Sequence, residues 1–266
     1  MAKPPIRTSP LPRNLATTGT PRSGTTPPPQ RFPSQQADSA MPLSSDPCQA
    51  AHIGERPFTG DPASPLDVAA WRHDERQRLR AERKALTPAM AVSVTDRIAA
   101  CLTELLAPLD ASRLIIGASW PIGGEPDLIP FLTTLRQRGA ILSLSACVKP
   151  PAAMRFRRWT PNAPLERGLW NLPVPPASAG EVTPNLLIAP LLGWDDACNR
   201  LGFGTGYFDR TLDHMAPHPF AIGVGLHSAR LSTIHPLPHD RRLDLIVTEC
   251  GVEAGSPPLP SRRGMV

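Results

Sequence analysis

The sequence lacks any segment typical of proteins that enter or cross a membrane. No stretch approaches the roughly 18 consecutive apolar residues of a membrane span, and no signal-peptide core is present. We therefore predict a cytoplasmic protein with no membrane partner. Because the first acidic residue is Asp38, an organellar transit peptide stays open as an alternative, although the dense prolines oppose the amphipathic helix such peptides need. A translation start at Met41 is a further alternative.

The signatures of covalent catalysis and structural metal binding are also missing. The cysteines form no Cys-x-x-Cys pair, so we predict reduced, mostly buried thiols. No Ser/His/Asp or Cys/His triad is evident, and we predict no catalytic nucleophile. The five cysteines are Cys48, Cys101, Cys147, Cys198 and Cys250.

Acidic residues are fewer than lysines and arginines, so the chain has a formal net charge of +5 and a pI near 9.3. Such a balance is compatible with nucleic-acid binding or with a small polyanionic ligand. No aromatic-interleaved basic strand resembles a nucleic-acid module, so we predict no nucleic-acid partner.

Large apolar residues are scarce in the first quarter of the chain, where prolines concentrate. Fourteen of the 35 prolines precede Leu66, among Ser, Thr, Arg and Gln. Such a segment buries too little surface to offset its chain entropy. We therefore predict a disordered tail over residues 1–63 that adds nothing to the core or the site, one domain over 64–252, and a disordered end over 253–266.

The rest of the chain has regular secondary-structure signals. Ser64-Pro65 and Thr87-Pro88 each pair a helix cap with a first-turn proline, predicting helices that reach about residues 86 and 106. The order of the following elements favours a three-layer α/β domain with a mostly parallel sheet, to which residues 154–160 add an antiparallel strand. The other predicted strands are 113–119, 141–148, 185–192, 221–226 and 243–248, and the predicted helices are 127–138 and 207–215.

A glycine-rich loop lies between one buried strand and one helix. Gly202, Gly204 and Gly206 alternate between Arg200 and Asp209. Glycine lets backbone N–H groups approach an anion, and the following helix would direct its N-terminus at the same place. The loop is neither a Walker A motif nor a Gly-x-Gly-x-x-Gly fingerprint. A phosphate site and an ordinary glycine-rich turn before a helix therefore both stay open at this point.

Several linked motifs favour the phosphate site over the ordinary turn. The segments Pro190–Asp195, Asn199–Arg210 and Pro238–Asp240, with Asp244 and Thr248-Glu249, resemble the signature of the 5-formyltetrahydrofolate cyclo-ligases, also called methenyltetrahydrofolate synthetases. The resemblance implies ATP-dependent conversion of 5-formyltetrahydrofolate to 5,10-methenyltetrahydrofolate with release of ADP and phosphate. It also implies magnesium as cofactor, a reduced folate with or without a polyglutamate chain as substrate, and a monomer.

The same resemblance assigns site residues. It implies that Asp209 and Asp240 bind magnesium, although each alone would more often be a cap or turn residue. The implied ATP-binding residues are Arg76, Arg80, Arg200, Leu201, Gly202, Phe203, Gly204, Thr205, Gly206, Tyr207 and Phe208. The implied substrate-binding residues are Arg80, Trp120, Glu125, Phe203, Gly204, Thr205, Gly206 and Tyr207.

Some of these assignments have plainer alternatives or depart from the family pattern. Arg76 and Arg80, four apart on one helix, would otherwise be a solvated basic stripe, and Trp120 a core aromatic. We predict that Trp159 and Trp170 are packing residues, although the loop around Trp170 resembles a family segment that borders the site. Arg76 stands where the family has a lysine. Cys198 replaces a common glycine, so we predict that Asn199 adopts any positive φ required there.

Two other functions stay open. The scaffold could serve another ATP-dependent pterin ligase or kinase, or a folate- or nucleotide-binding regulator without turnover. The joint presence of Glu125, Arg200, Asp209 and Asp240 favours an active enzyme.

Overall fold

A computed structural model describes residues 55–148 and 152–255. The segments predicted to be disordered, residues 1–63 and 253–266, lie outside the described residues except for 55–63 and 253–255. Within the described ranges, no helix is both long enough and apolar enough to cross a membrane.

A seven-stranded sheet organises the domain and confirms the predicted α/β class. Its strands are β1 Ile115–Ala118, β2 Ile141–Ala146, β3 Arg155–Trp159, β6 Leu186–Pro190, β9 Phe220–Val224, β10 Leu245–Thr248 and β11 Gly251–Ala254. The strand order is β11-β10-β9-β6-β1-β2-β3. The five inner strands pair in parallel, whereas the edge strands β3 and β11 are antiparallel to their neighbours.

Two short antiparallel pairs lie outside this sheet. The strands Glu166–Arg167 (β4) and Pro173–Val174 (β5) form one pair, and Gly193–Trp194 (β7) and Arg200–Leu201 (β8) form the other. The second pair leads directly into the glycine loop.

Four α-helices occur in the described part of the chain, close to their predicted positions. They are α1 Pro65–Ala85, α2 Pro88–Leu106, α3 Ile129–Gln137 and α4 Tyr207–His214. Ser64 and Thr87 cap α1 and α2 as expected, because each side chain accepts a hydrogen bond from a backbone N–H of the first turn. Helix α2 packs against β10 and β11, and α3 against β2.

The hydrophobic core lies on the inner strands. Ile116, Leu187, Ile222 and Ile246 come from four different strands, and each is fully buried. Strands buried in this way read as near-continuous apolar runs, which explains why they were predictable.

Both ends of the domain extend past the predicted boundaries. Strand β11 continues the sheet to Ala254, two residues beyond residue 252. At the other end, residues 55–58 precede the predicted boundary at 64 and make hydrogen bonds to α1 and to Ser232. The division of the chain into tail, domain and end stays a prediction.

The cysteines follow the expectation in part. Cys101, Cys147 and Cys198 are free thiols, and burial raises the pKa of each. Cys250 takes part in a disulfide, which contradicts the prediction of a reduced thiol at that position.

Candidate active site

A cavity of about 410 Å³ opens at the carboxyl ends of β1, β2 and β6. Ligands of open α/β sheets bind at this edge, and the volume suits a small organic ligand. Ser119 follows β1, Cys147 follows β2, and Pro190 ends β6. The wall opposite these strand ends comes from helix α1, the glycine loop and the start of α4.

The structure brings nearly all the predicted site residues to this cavity. Leu201 is the exception, because it lies in β8 and is buried in the core at 1% exposure. Its alternation with Arg200 along the strand turns its side chain away from the cavity. The predicted residues that line the cavity are Arg76, Arg80, Trp120, Glu125, Arg200, Gly202, Phe203, Gly204, Thr205, Gly206, Tyr207, Phe208, Asp209 and Asp240.

Helix α1 presents a row of arginines that bind backbone carbonyls. Arg76 Nε donates to Gly202 O at 2.8 Å, and Arg80 donates to Phe203 O at 3.4 Å. Arg72, one turn earlier, donates to Ile234 O and His235 O, each at 2.9 Å. Because these arginines lie four apart, they share one face of the helix. The arginine row is therefore built into the cavity wall and is more than a solvated stripe.

The arginine row concentrates positive charge. Burial, together with the charges of Arg72 and Arg80, lowers the pKa of Arg76 to about 10. Arg76 thus stays charged at neutral pH while its neighbours repel it. A polyanionic ligand would relieve that repulsion.

The glycine loop packs tightly around Arg200, whose side chain is 6% exposed. Its guanidinium lies over the Phe208 ring at 4.7 Å and donates to Asp209 at 3.4 Å. A Cβ at Gly202 would collide with the Arg200 guanidinium, so a larger residue there would displace that side chain from its present position. Gly206, at φ 67°, caps α4 in a left-handed conformation. This arrangement leaves the loop backbone and the start of α4 facing the cavity.

The two predicted magnesium ligands lie on the same cavity wall. Asp240 Oδ2 accepts from Arg72 and from Leu237 N, both at 2.6 Å, whereas Oδ1 has only a 3.3 Å bond from Arg72. Burial would raise the pKa of Asp240, but these hydrogen bonds outweigh it and lower the pKa. The carboxylate is therefore ionised at neutral pH.

The donor set fits a magnesium ion that also contacts phosphate. Asp209 receives only longer bonds, at 3.4 Å from Arg200 and 3.2 Å from Arg241 N. Each carboxylate thus keeps one weakly engaged oxygen, and magnesium in such sites is commonly held by one or two carboxylates plus phosphate oxygens.

A different group brings three potential metal ligands within 4.8 Å of one another, namely His227, Cys250 and Glu253. The sulfur of Cys250 is already engaged in a disulfide, so this group offers no complete ligand set.

The other half of the cavity is aromatic and apolar, with one carboxylate. Trp120 packs edge-on against Trp159 with ring centroids 6.5 Å apart. Glu125 follows the Gly123-Gly124 turn, and its Oε2 accepts from Ile122 N at 3.0 Å. Burial raises the pKa of Glu125 to about 7, despite that hydrogen bond and the charges of Arg83 and Arg200. A planar heterocycle with N–H donors would meet here a carboxylate close to its titration midpoint.

Trp170 contradicts the expectation that it is a packing residue. It is 55% exposed, lines the cavity, and meets Tyr207 edge-on at 5.6 Å between ring centroids. Its φ of 55° and that of Asn171, 61°, are left-handed, which turns the ring out of the core. Trp159, in contrast, is buried at 4% exposure as expected.

Sequence reasoning missed two arginines of α1. Arg72 lies one helical turn before Arg76, so the four-residue spacing was a usable signal. Arg83 is buried, and its NH2 group donates to Leu191 O at 2.6 Å. Only the packing of α1 against the turn before Glu125 identifies Arg83, and no short motif encodes it.

The prediction for Cys198 and Asn199 is wrong in detail. Cys198 itself adopts a φ of 60°, and Asn199 does not have positive φ. The buried Asp195 side chain fixes Asn199, accepting from its backbone N–H at 3.1 Å and from its amide. The turn therefore places a cysteine in the left-handed conformation that glycine adopts readily, at a cost of about 1–2 kcal/mol.

The fold and the cavity define an α/β protein in which a wall of arginines and glycines lies beside an aromatic wall that holds one carboxylate. A family model described as the 5-formyltetrahydrofolate cyclo-ligase family matches residues 68–249. The chain therefore belongs to the 5-formyltetrahydrofolate cyclo-ligase family, a family of ligases.

Individual relatives agree with this membership. The chain is 30% identical over 165 residues to the 5-formyltetrahydrofolate cyclo-ligase of Mycolicibacterium smegmatis, covering 59% of this chain and 84% of that protein. It is 35% identical over 75 residues to the Haemophilus influenzae enzyme of the same name, covering 27% of this chain and 40% of that protein.

Two solved structures share the fold. The 5,10-methenyltetrahydrofolate synthetase of Aquifex aeolicus superposes with a TM-score of 0.60 at 21% identity, covering 72% of this chain and 97% of that one. The synthetase of Mycoplasma pneumoniae gives 0.56 at 20% identity, covering 67% and 98%.

Proposed function

We propose that the protein catalyses the ATP-dependent cyclisation of 5-formyltetrahydrofolate to 5,10-methenyltetrahydrofolate, releasing ADP and phosphate. One observation carries the proposal. The arginine row and the glycine loop line the same cavity as Trp120 and Glu125. A phosphoryl donor and a planar acceptor bound there would share one space, as direct transfer between them requires.

The polyphosphate half binds ATP in this proposal. Arg76, Arg80 and Arg200 neutralise phosphate charge, and backbone N–H groups of residues 202–206 approach the phosphate oxygens. Asp209 and Asp240 would hold magnesium, which supplies charge neutralisation at the transferring phosphoryl group.

The aromatic half binds the reduced folate. Trp120 and Tyr207 offer ring surfaces to the pterin, and the Glu125 carboxylate accepts hydrogen bonds from its N–H donors. Trp170 at the open side borders the more exposed part of the ligand. A polyglutamate chain, a monomeric state and a cytoplasmic location remain predictions of the sequence.

The chemistry then needs positioning and charge neutralisation rather than a protein nucleophile. The formyl oxygen attacks the γ-phosphorus, and ADP leaves. N10 closes on the activated formyl carbon and loses its proton, after which the carbon–oxygen bond breaks and phosphate departs. The arginine row lowers the energy of the charge that develops on the transferring group.

An absorbance assay tests the proposal. Full-length protein with 5-formyltetrahydrofolate, ATP and magnesium should form the methenyl product, and omission of ATP or magnesium should abolish it. Absence of product with all three present contradicts the proposal. ATP hydrolysis with another reduced folate, but not with this one, would favour the alternative pterin ligase.

The magnesium assignment has its own test. Asp209→Asn and Asp240→Asn should each raise the magnesium concentration needed for half-maximal turnover while the circular dichroism spectrum stays unchanged. Magnesium dependence equal to the wild type in both variants contradicts the assignment.

A further inference from the structure

The segment Glu55–Phe58 precedes helix α1 in the chain, and we call it the N-terminal strap. It contacts two separate parts of the domain. The strap lies outside the segment matched by the family model, which begins at residue 68. Arg56 N donates to Glu75 Oε1 at 3.0 Å, and Trp71 Nε1 donates to Arg56 O at 2.9 Å. These bonds fix the strap to α1, and the first satisfies a carboxylate that is 0% exposed.

The strap also holds the segment 232–240, which contains no helix or strand. Glu55 accepts from Ser232 N at 2.8 Å and from Ser232 Oγ at 2.7 Å. The ring of Phe58 lies 4.0 Å from that of His235, which in turn meets Trp71 edge-on at 4.9 Å. The strap therefore clamps the 232–240 segment at two points.

These contacts hold His235 in an unfavourable backbone conformation. Its φ is 51°, a left-handed conformation that a non-glycine residue adopts at a cost of about 1–2 kcal/mol. Burial between Phe58 and Trp71 lowers the pKa of its imidazole, although the nearby Glu55 opposes the shift.

One arginine connects this clamp to the cavity. Arg72 donates to the carbonyls of Ile234 and His235 and, through the same guanidinium, to both carboxylate oxygens of Asp240. The 232–240 segment thus lies between the strap on one side and Arg72 on the other. Movement of His235 would remove carbonyl acceptors from Arg72 and loosen its hold on Asp240.

We propose that the N-terminal strap is a positioning element for the polyphosphate half of the site: it orders segment 232–240, and so fixes Asp240 and Arg72 before the nucleotide binds. Ordering this segment in advance removes an entropy cost that nucleotide binding would otherwise carry. The proposal rests on the proposed function, because it takes Asp240 to face a magnesium nucleotide.

The experiment compares Phe58→Ala and Glu55→Gln with the matched control Arg56→Gln in the full chain. Arg56 lies in the strap, but among residues 55–148 and 152–255 its side chain makes only an exposed ion pair with Asp74 at 3.4 Å, a contact of little energetic value. Hydrogen exchange of the backbone amides of 233–240 is measured without ligand. Magnesium-ATP affinity is measured by calorimetry without folate.

We expect Phe58→Ala to accelerate exchange in 233–240 about tenfold and to weaken magnesium-ATP binding about fivefold to tenfold. Glu55→Gln should do the same to a smaller extent, and Arg56→Gln should do neither. Glu55→Gln leaves the apolar contact of Phe58 in place, so it remains informative even if Phe58→Ala unfolds.

Unchanged exchange in Phe58→Ala and Glu55→Gln would overturn the proposal. Faster exchange with wild-type nucleotide affinity would overturn it as well, because the strap would then act on the fold alone. Failure of the proposed function would give a different result. The wild type would then form no methenyl product, while the exchange and calorimetry results would remain as expected.

Discussion

The half of the cavity proposed to bind polyphosphate and the aromatic half, proposed to bind folate, differ in how their charged groups are supported. In the polyphosphate half, Arg72, Arg76 and Arg80 each donate to backbone carbonyls from loops far away in the chain. In the folate half, Glu125 accepts a backbone hydrogen bond from Ile122 at 3.0 Å, and burial raises its pKa to about 7. One half has fixed charges, whereas the charge of the other changes near neutral pH.

This difference separates what each half contributes. Fixed cations whose geometry does not reorganise favour stabilisation of transferring charge. A carboxylate near its titration midpoint instead sets binding strength, since only its ionised form accepts two N–H donors. We therefore expect variants of the polyphosphate half to affect turnover with ATP at all pH values, and variants of the folate half to affect folate affinity in a pH-dependent way.

The largest effect is expected at Arg200. Arg200→Met removes a buried cation beside the glycine loop and Asp209 and should lower kcat/KM for ATP about a hundredfold to a thousandfold. The loss should be equal at pH 6 and pH 8. Folate affinity should fall only a few-fold, near pH 7, because the charge of Arg200 also lowers the pKa of Glu125. Steady-state kinetics at both pH values measure this, with Arg136→Met on α3 as control. A loss confined to folate affinity would contradict the division of the cavity.

The next effect concerns the Glu125 carboxylate. With a pKa of about 7, the ionised fraction falls from about nine-tenths at pH 8 to about one-tenth at pH 6. Folate affinity in the wild type should therefore weaken about fivefold to tenfold over that range. Glu125→Gln should weaken affinity about tenfold to a hundredfold at pH 8 and remove the pH dependence.

Quenching of tryptophan fluorescence by folate provides the measurement. ATP affinity in the same variant is the control and should stay within about twofold of the wild type. Retained pH dependence in Glu125→Gln would mean that another group titrates.

The sequence identified the residues that line the arginine and glycine wall of the cavity better than those that line its aromatic half. The glycine loop is contiguous, and Arg76 and Arg80 follow helical spacing, so local rules marked these residues as candidates. The family resemblance then decided between a phosphate site and an ordinary turn. Trp170 was misjudged because its exposure depends on the left-handed turn at residues 170–171, which its residue types do not signal. The predicted strands and helices were mostly right because the inner strands are continuous apolar runs.

The N-terminal tail shows the same limit of prediction from local sequence. Composition correctly identified few apolar residues before Leu66, yet Phe58 finds its partners Trp71 and His235 on separate parts of the chain. Such contacts arise from tertiary packing and leave no local signature. We now expect a truncation that removes residues 1–54 to be tolerated better than one that also removes the strap.

A smaller effect is expected at Arg83, a buried residue whose charge acts on the Glu125 carboxylate of the folate half. Within the described residues, its buried Nε and NH1 have no hydrogen-bond acceptor, and its charge lowers the pKa of Glu125. Arg83→Met should raise that pKa, so folate affinity at pH 7 falls a few-fold and recovers above pH 8. The pH profile of folate affinity measures this, and the exposed neighbour variant Lys84→Met should match the wild type. A uniform loss at every pH would indicate a purely structural role.

The smallest effect is expected at Trp170, at the open side of the folate half. Because the side chain is 55% exposed, a ligand that packs on it gains less than full aromatic burial, about 1 kcal/mol. Trp170→Ala should therefore raise the KM for folate about fivefold without pH dependence, and Trp170→Phe should restore most of the loss. The KM for ATP should not change, and Val252→Ala, which alters another exposed apolar residue, serves as control. A larger loss than in Glu125→Gln would show that ring contact rather than the carboxylate dominates folate binding, and would reverse the contribution assigned here to each group of the folate half.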